Sequence, residues 1–139
     1  MALILLIIST ILWGVWGYVN GRAVAHAHPL TVQWMYYVPA ALLIPLFYFL
    51  GARLAPATNL DGSAFRYAAI SSIAAAAAAL LFFFALRETS ASVAVAITAA
   101  YPVITLLIGV SLREETLDIR RLAGIAIIIL GVVVLQWEM

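Results

Sequence analysis

The sequence has no cysteine and no lysine, and only 9% of its 139 residues are charged. Without cysteine there is no disulfide framework, no thiolate metal site and no redox motif. The basic residues are seven arginines scattered along the chain, so no basic stripe exists for nucleic acid and no glycine-rich loop for a phosphate. The net charge is +1. What fills the sequence instead is hydrocarbon. Hydrophobic residues make up 67% of it and the mean hydropathy is +1.16, whereas ordinary soluble domains carry roughly 25% charged residues. A chain this short cannot hide so much apolar surface in one core, because small domains leave a large fraction of their surface exposed. The expected fold class is an all-α integral membrane protein with lipid as its solvent and no soluble domain.

A helix needs about 20 mostly apolar residues to cross roughly 30 Å of hydrocarbon. Five stretches meet this, at about 2–20, 30–50, 66–86, 90–112 and 119–137, and predict a five-transmembrane-helix bundle. The connectors are short and polar. Asn20, Gly21, Arg22 and the segment 26–29 separate the first two spans, with Pro29 suited to the first turn of the second. Residues 51–65 hold Pro56, Asn59, Asp61 and Gly62, a loop by turn chemistry. Residues 87–90 make a tight polar turn with Ser90 or Ser92 as an N-cap, and Asp118 caps the last helix. Ala23, Val24 and Ala25 resemble a signal cleavage site, but no Lys or Arg precedes the apolar run, which exceeds the usual 7 to 15 residues, so the first helix is expected to stay. An odd number of spans puts the termini on opposite sides. Arg53, Arg66, Arg113, Arg120 and Arg121 then share the N-terminal side against Arg22 and Arg87, which makes the N-terminus cytoplasmic by the positive-inside rule, with dual insertion left open by so modest a bias.

Depth follows from a 1.5 Å rise per residue. Trp13 and Gly14 fall roughly 17 Å into the bilayer, and Tyr101 and Pro102 reach a similar depth from the other side. Pro39, Ala40, Ala41 and the run 74–79 share this level. Trp13 and Tyr101 are too deep for an interfacial aromatic belt, and a buried indole N–H or phenol needs a partner, so cavity lining competes with simple packing. Pro39 and Pro102 either kink their helices or free carbonyls, at Ile97 or Thr98 in the second case, toward a polar path. The alanine run, with Ala74 and Ala78, suits close helix packing, as do Gly124 and Gly131. Trp16, Tyr18, Trp34, Tyr36, Tyr37 and Trp137 gather toward the outer face, where belt anchoring is the default; Trp16, Tyr36 and Tyr37 are also counted with the pathway. Asn20 and Gln33 are expected at the interface, and Arg22 snorkels to the headgroups. His26 and His28 sit in a loop without a third ligand, so no metal is expected.

No Asp, Glu, Lys or Arg lies in the central part of any span, where such groups mark proton relays and coupling sites. This argues against a proton antiporter built on an embedded carboxylate. No Ser/His, paired Asp or HExxH arrangement points to an enzyme, and no cofactor is implied. Glu88, Glu114 and Glu115 lie at helix ends, in solvated or capping roles.

Leu12, Trp13 and Gly14 resemble the LWG signature of EamA-type domains in the drug/metabolite transporter superfamily. Ala85, Leu86, Thr89, Ser90, Ala91 and Ser92, leading to Tyr101, Pro102 and Val103, are similar to that family's passage from helix three to four. Glu115, Thr116 and Leu117, then Gly124 and Gly131, resemble its E-x-L loop and final helix. The resemblance spans residues 1–139 as a single EamA-like membrane domain. It implies a fold in which two five-helix repeats of inverted topology enclose a central cavity, and the export or exchange of amino acids and other small metabolites. One repeat alone supplies half of such a site, which implies an antiparallel homodimer or a heterodimer with a second half-size chain. Family members often carry an Arg in helix two, where this chain reads Gln33, Trp34, Met35, Tyr36, Tyr37. An uncharged aromatic cavity suits neutral, zwitterionic or amphipathic solutes better than strong anions.

The leading expectation is therefore a dimeric secondary transporter of the inner membrane working by alternating access. Its pathway residues are Trp13, Gly14, Trp16, Tyr36, Tyr37, Tyr101 and Pro102. Two rivals are a drug or lipid-carrier flippase of small multidrug-resistance type, disfavoured by the fifth span and the missing embedded Glu, and a non-transporting subunit held together by helix packing.

Overall fold

The computed structural model describes residues 2–54 and 62–136. Among the described residues there are six helices and no strand: α1 (Ala2–His26), α2 (Pro29–Leu54), α3 (Gly62–Ala85), α4 (Ala91–Thr98), α5 (Tyr101–Ser111) and α6 (Ile119–Gln136). Helices are what lipid permits, since each backbone polar group must be paired within its own segment. Four stretches among the described residues are long and apolar enough to cross a bilayer: α1, α2, α3 and Ala91–Ser111, which joins α4 to α5. The fifth expected span falls on α6, whose 18 residues rise about 27 Å; its last residue, Trp137, lies outside the described residues.

In the four spanning windows at most 17% of residues are buried. The exposed side chains are the apolar ones, such as Leu42, Ile44, Phe47 and Tyr48 on α2. Continuous apolar surface of this extent needs hydrocarbon or another membrane chain to cover it. The protein is a multi-pass membrane protein.

The helices run further than turn chemistry predicts. α1 continues through Asn20, Gly21 and Arg22 to His26, closed by the Ala27 N–H on the Ala23 carbonyl at 3.0 Å. α2 continues through Gly51 and Arg53 to Leu54, and α3 begins at Gly62. Pro56, Asn59 and Asp61 lie outside the described residues. None of the described glycines has positive φ, and a single helical glycine costs only about 1 kcal/mol, less than leaving backbone groups unpaired in lipid. His26 thus belongs to the last turn of α1 rather than to a loop. His28 caps α2: its Nδ1 accepts from the Leu30 N–H at 3.3 Å, and its carbonyl accepts from Thr31 and Val32 at 2.8 and 3.0 Å. Pro29 opens that helix, where its missing N–H costs nothing.

The chain forms two compact units. In the unit Val19–Glu88, α2 packs on α3. Its apolar centre is Val32, Phe82, Leu86 and a fully enclosed Phe83, and Asn20 is buried with Val24 in the α1 segment. Phe84 meets the His28 ring edge-on at 5.7 Å and Phe83 meets Tyr36 at 6.3 Å. The unit of Met1–Tyr18 with Thr89–Met139 holds the start of α1 and α4 to α6. There Ser90 caps α4, its hydroxyl accepting from the Val93 N–H at 3.4 Å, and α1 meets α4 where Gly17 faces Val95.

Candidate functional site

The span predicted as one helix over 90–112 is two. Pro102 has no N–H to offer the Thr98 carbonyl four residues back, and its ring crowds that position. α4 accordingly ends at Thr98 and α5 begins at Tyr101, with Ala99 and Ala100 in a tighter turn. The Ala100 N–H reaches back three residues to the Ile97 carbonyl at 3.2 Å, and the Val103 N–H reaches Ala100 at 3.1 Å. Of the two carbonyls expected to be freed, Ile97 is thereby paired. The Thr98 hydroxyl folds back onto the carbonyls of Ala94 and Val95 at 3.0 and 2.9 Å. It draws its own polarity away from the break.

Below the break, α5 and α6 wall a cleft of ≈ 380 Å³. α5 contributes Tyr101, Pro102, Thr105 and Leu106, and α6 contributes Arg121, Gly124, Ile125 and Ile128. Its wall is apolar except at one end, where Glu115 from the connecting loop meets Arg121 in an ion pair. The loop is built to hold that carboxylate there. Arg113 takes a left-handed conformation, φ 60, so the Glu114 N–H turns back to the Gly109 carbonyl at 2.8 Å and the Arg113 N–H to Val110 at 3.0 Å. This is the six-to-one and five-to-two pairing of a Schellman ending, with arginine in the place glycine usually takes. Glu115 also donates its N–H to Gly109, at 3.1 Å. A Cβ on Gly109 would lie 3.0 Å from Glu115 Cγ, so the bare glycine is the seat of the glutamate stem. Asp118 then caps α6, its Oδ1 accepting from the Arg120 N–H at 3.2 Å.

The unit Val19–Glu88 holds a separate polar node. Gln33, expected at the interface, instead bridges two helices: its Nε2 donates to the Tyr37 hydroxyl at 2.9 Å and to the Ala76 carbonyl of α3 at 3.0 Å. Its Oε1 is buried without a partner. Tyr37 stands edge-on to Tyr36, 5.2 Å between centroids.

The sequence-derived pathway residues fall in both units. Tyr101 and Pro102 share the cleft with Gly124, one of the glycines expected to pack. Trp13 and Trp16 meet at a tilt of 59°, 5.8 Å between ring centroids, and do not line that cleft. Gly14 has open space around its Cα, as does Gly131. Tyr36 and Tyr37 belong to the Gln33 node. Ala74 and Ala78 are exposed, on the side of α3 away from the α2-facing positions Ala76, Ala79 and Phe83. Gly17, Gly109, Arg121 and the Gln33 bridge were not singled out by sequence reasoning. Gly17 alone had a signal, its three-residue spacing from Gly14. Among the described residues no group of three His, Cys, Asp or Glu could hold a metal.

Comparison with known families gives a match over residues 1–137 to the model described as the EamA-like transporter family. Neither the search of curated proteins nor that of solved structures finds a match.

Proposed function

Because the chain belongs to the EamA-like transporter family, we propose that it is one five-helix repeat of a secondary transporter that exports or exchanges small metabolites such as amino acids or amphipathic solutes. In this reading α6 is the fifth span. The complementary half comes from a second copy inserted the other way up, or from a sister chain, and transport runs by alternating access in the inner membrane. The N-terminus is cytoplasmic, on the five-to-two arginine bias.

The observation that carries this reading is the break at Ala99 and Ala100. A discontinuous membrane helix is what transporters of inverted-repeat design use to bring backbone polarity to a substrate near the midplane. Here the break comes nine residues into the 21-residue stretch Ala91–Ser111, and it sets Tyr101 and Pro102 at the deep end of an apolar cleft. The absence of any Asp or Glu within the described helices weighs against a flippase built on an embedded glutamate and suits uncharged or zwitterionic cargo.

The test is uptake into liposomes carrying the purified protein, using a panel of apolar amino acids and amphipathic cations. Wild type is expected to move at least one of them, and Tyr101→Ala to slow that flux about tenfold or more, since ~1.4 kcal/mol of lost binding already gives tenfold. No flux of any member of the panel would count against the reading. Reporter fusions at the C-terminus separate the dimer types: signal on both sides supports an antiparallel homodimer, and signal on one side a heterodimer.

A further inference from the structure

The α5–α6 cleft has a design that transport does not account for. Its charges are not at the midplane but at the loop end, where α5 finishes and α6 starts. From Arg121 to Ile128 the apolar wall descends about 10 Å along α6. Tyr101 is 68% exposed and Gly124 is exposed too, so the cleft opens sideways into whatever surrounds the helices. In a membrane chain that is lipid.

The charged end is also neutral as a whole. Residues 113–121 carry three arginines, Arg113, Arg120 and Arg121, against three acids, Glu114, Glu115 and Asp118. Glu115 and Arg121 are 40% and 54% exposed. A pair this exposed contributes at most about 1 kcal/mol, so a ligand can part it at little cost. An anionic headgroup would gain Arg121 and meet Glu115; a cationic one would gain Glu115 and meet Arg121. Only a headgroup with both charges replaces the one ion pair with two and leaves no like charges adjacent.

We propose that this cleft binds a zwitterionic phospholipid whose phosphodiester sits on Arg121 and whose primary ammonium sits on Glu115, with an acyl chain along the groove past Gly124 to Ile128. A primary ammonium donates N–H hydrogen bonds to the carboxylate, whereas a quaternary ammonium has none to give. Ethanolamine headgroups are therefore selected over choline headgroups, and over glycerol headgroups by charge. The binding test requires only that the chain spans the membrane, so its failure and a failure of the transport reading are distinguishable.

The experiment is native mass spectrometry of the full-length chain released from bilayers of equal parts ethanolamine, choline and glycerol phospholipid, with circular dichroism reporting helicity of every variant. Wild type is expected to retain the ethanolamine lipid about fivefold over either of the others, equivalent to ~1 kcal/mol at 1.4 kcal/mol per tenfold. Glu115→Gln leaves an unopposed Arg121 and should turn the preference toward the glycerol lipid. Gly124→Leu fills the groove without touching the charges; its position has nothing within 4 Å of an added Cβ, so it should keep its helicity and lose the retained lipid. Equal retention of the three lipids by wild type overturns the proposal. So does undiminished retention by helical Gly124→Leu, which would place the lipid elsewhere, or a lipid-free dimer buried through this face.

Discussion

Replacing Gly17 with alanine sets a methyl carbon 2.5 Å from Val95 Cγ2, where two carbons in favourable contact sit about 3.5 to 4.0 Å apart. At least 1 Å must therefore be found. Val95 cannot yield it by rotation, because a β-branched side chain in a helix is held close to a single χ1 value. The helices α1 and α4 must part instead. Overpacking of this kind costs about 1–3 kcal/mol, offset by up to about 1 kcal/mol from the better helix propensity of alanine. The expected net loss is about 1 kcal/mol, roughly fivefold in the folded-to-unfolded ratio.

Gly14 provides the control on the same helix. An added Cβ there meets nothing within 4 Å, so Gly14→Ala should gain the propensity term, up to about 1 kcal/mol. The two substitutions, three residues apart, should differ by about 2 kcal/mol and in sign. Reversible unfolding in mixed detergent micelles, followed by circular dichroism, measures both. In a Val95→Ala background the Gly17 penalty should vanish, a coupling that identifies the contact and not the backbone as its source. Gly17→Ala as stable as Gly14→Ala, or a penalty unchanged without the valine methyls, refutes the reasoning.

Arg113→Gly removes a Cβ from a left-handed position and should stabilise the protein by about 1 kcal/mol in the same unfolding assay, whereas Arg113→Val should destabilise it. Gln33→Leu gives up two hydrogen bonds but also removes an orphaned buried acceptor; these nearly cancel, so its stability should lie within about 1 kcal/mol of wild type and no lower than that of Tyr37→Phe, which keeps the orphan and loses a bond. Pro102→Ala supplies the N–H that the Thr98 carbonyl lacks; the amide of residue 102 should show slow hydrogen exchange, and uptake in liposomes should fall about tenfold if the break serves transport.

The legible part of the sequence was its solvent and its punctuation. Hydropathy located four helical stretches and the core of a fifth, and the cap residues Ser90, Asp118 and Pro29 fell where their chemistry requires, because capping is decided within one turn. Breakers were overread: Asn20 with Gly21, and Gly51, lie inside helices, where the demand for backbone pairing in lipid outweighs a modest propensity. Pro102 was read as either a kink or a source of freed carbonyls; the helix breaks there, and the donors on either side of it, Ala100 and Val103, settle for three-residue reach. The site was legible in part. Tyr101, Pro102 and Gly124 do meet in one cleft, yet nothing local announced its charged end. Glu115 finds Gly109 only because Arg113 takes a conformation rare for its residue type, and Gln33 finds Ala76 across 43 residues. Gly14 drew notice over Gly17 because it sits in a recognisable signature, while the neighbour that makes Gly17 indispensable lies on another helix.

The lipid cleft and the proposed dimer constrain each other. If the partner is a second copy inserted the other way up, a two-fold axis in the membrane plane carries one Glu115–Arg121 pair to each face, and each leaflet donates one ethanolamine lipid. If the partner is a sister chain of fixed orientation, this chain's single cleft opens to one leaflet alone. Liposomes with the ethanolamine lipid confined to one leaflet therefore read topology through binding: an antiparallel homodimer should hold one lipid per dimer there, half its complement in symmetric liposomes, whereas a chain of single orientation should be either filled or empty. The reporter fusions must agree with that count. A homodimer with both fusion signals but a lipid complement that depends wholly on one leaflet would mean that the two clefts are not equivalent, and the two-fold design would have to be abandoned.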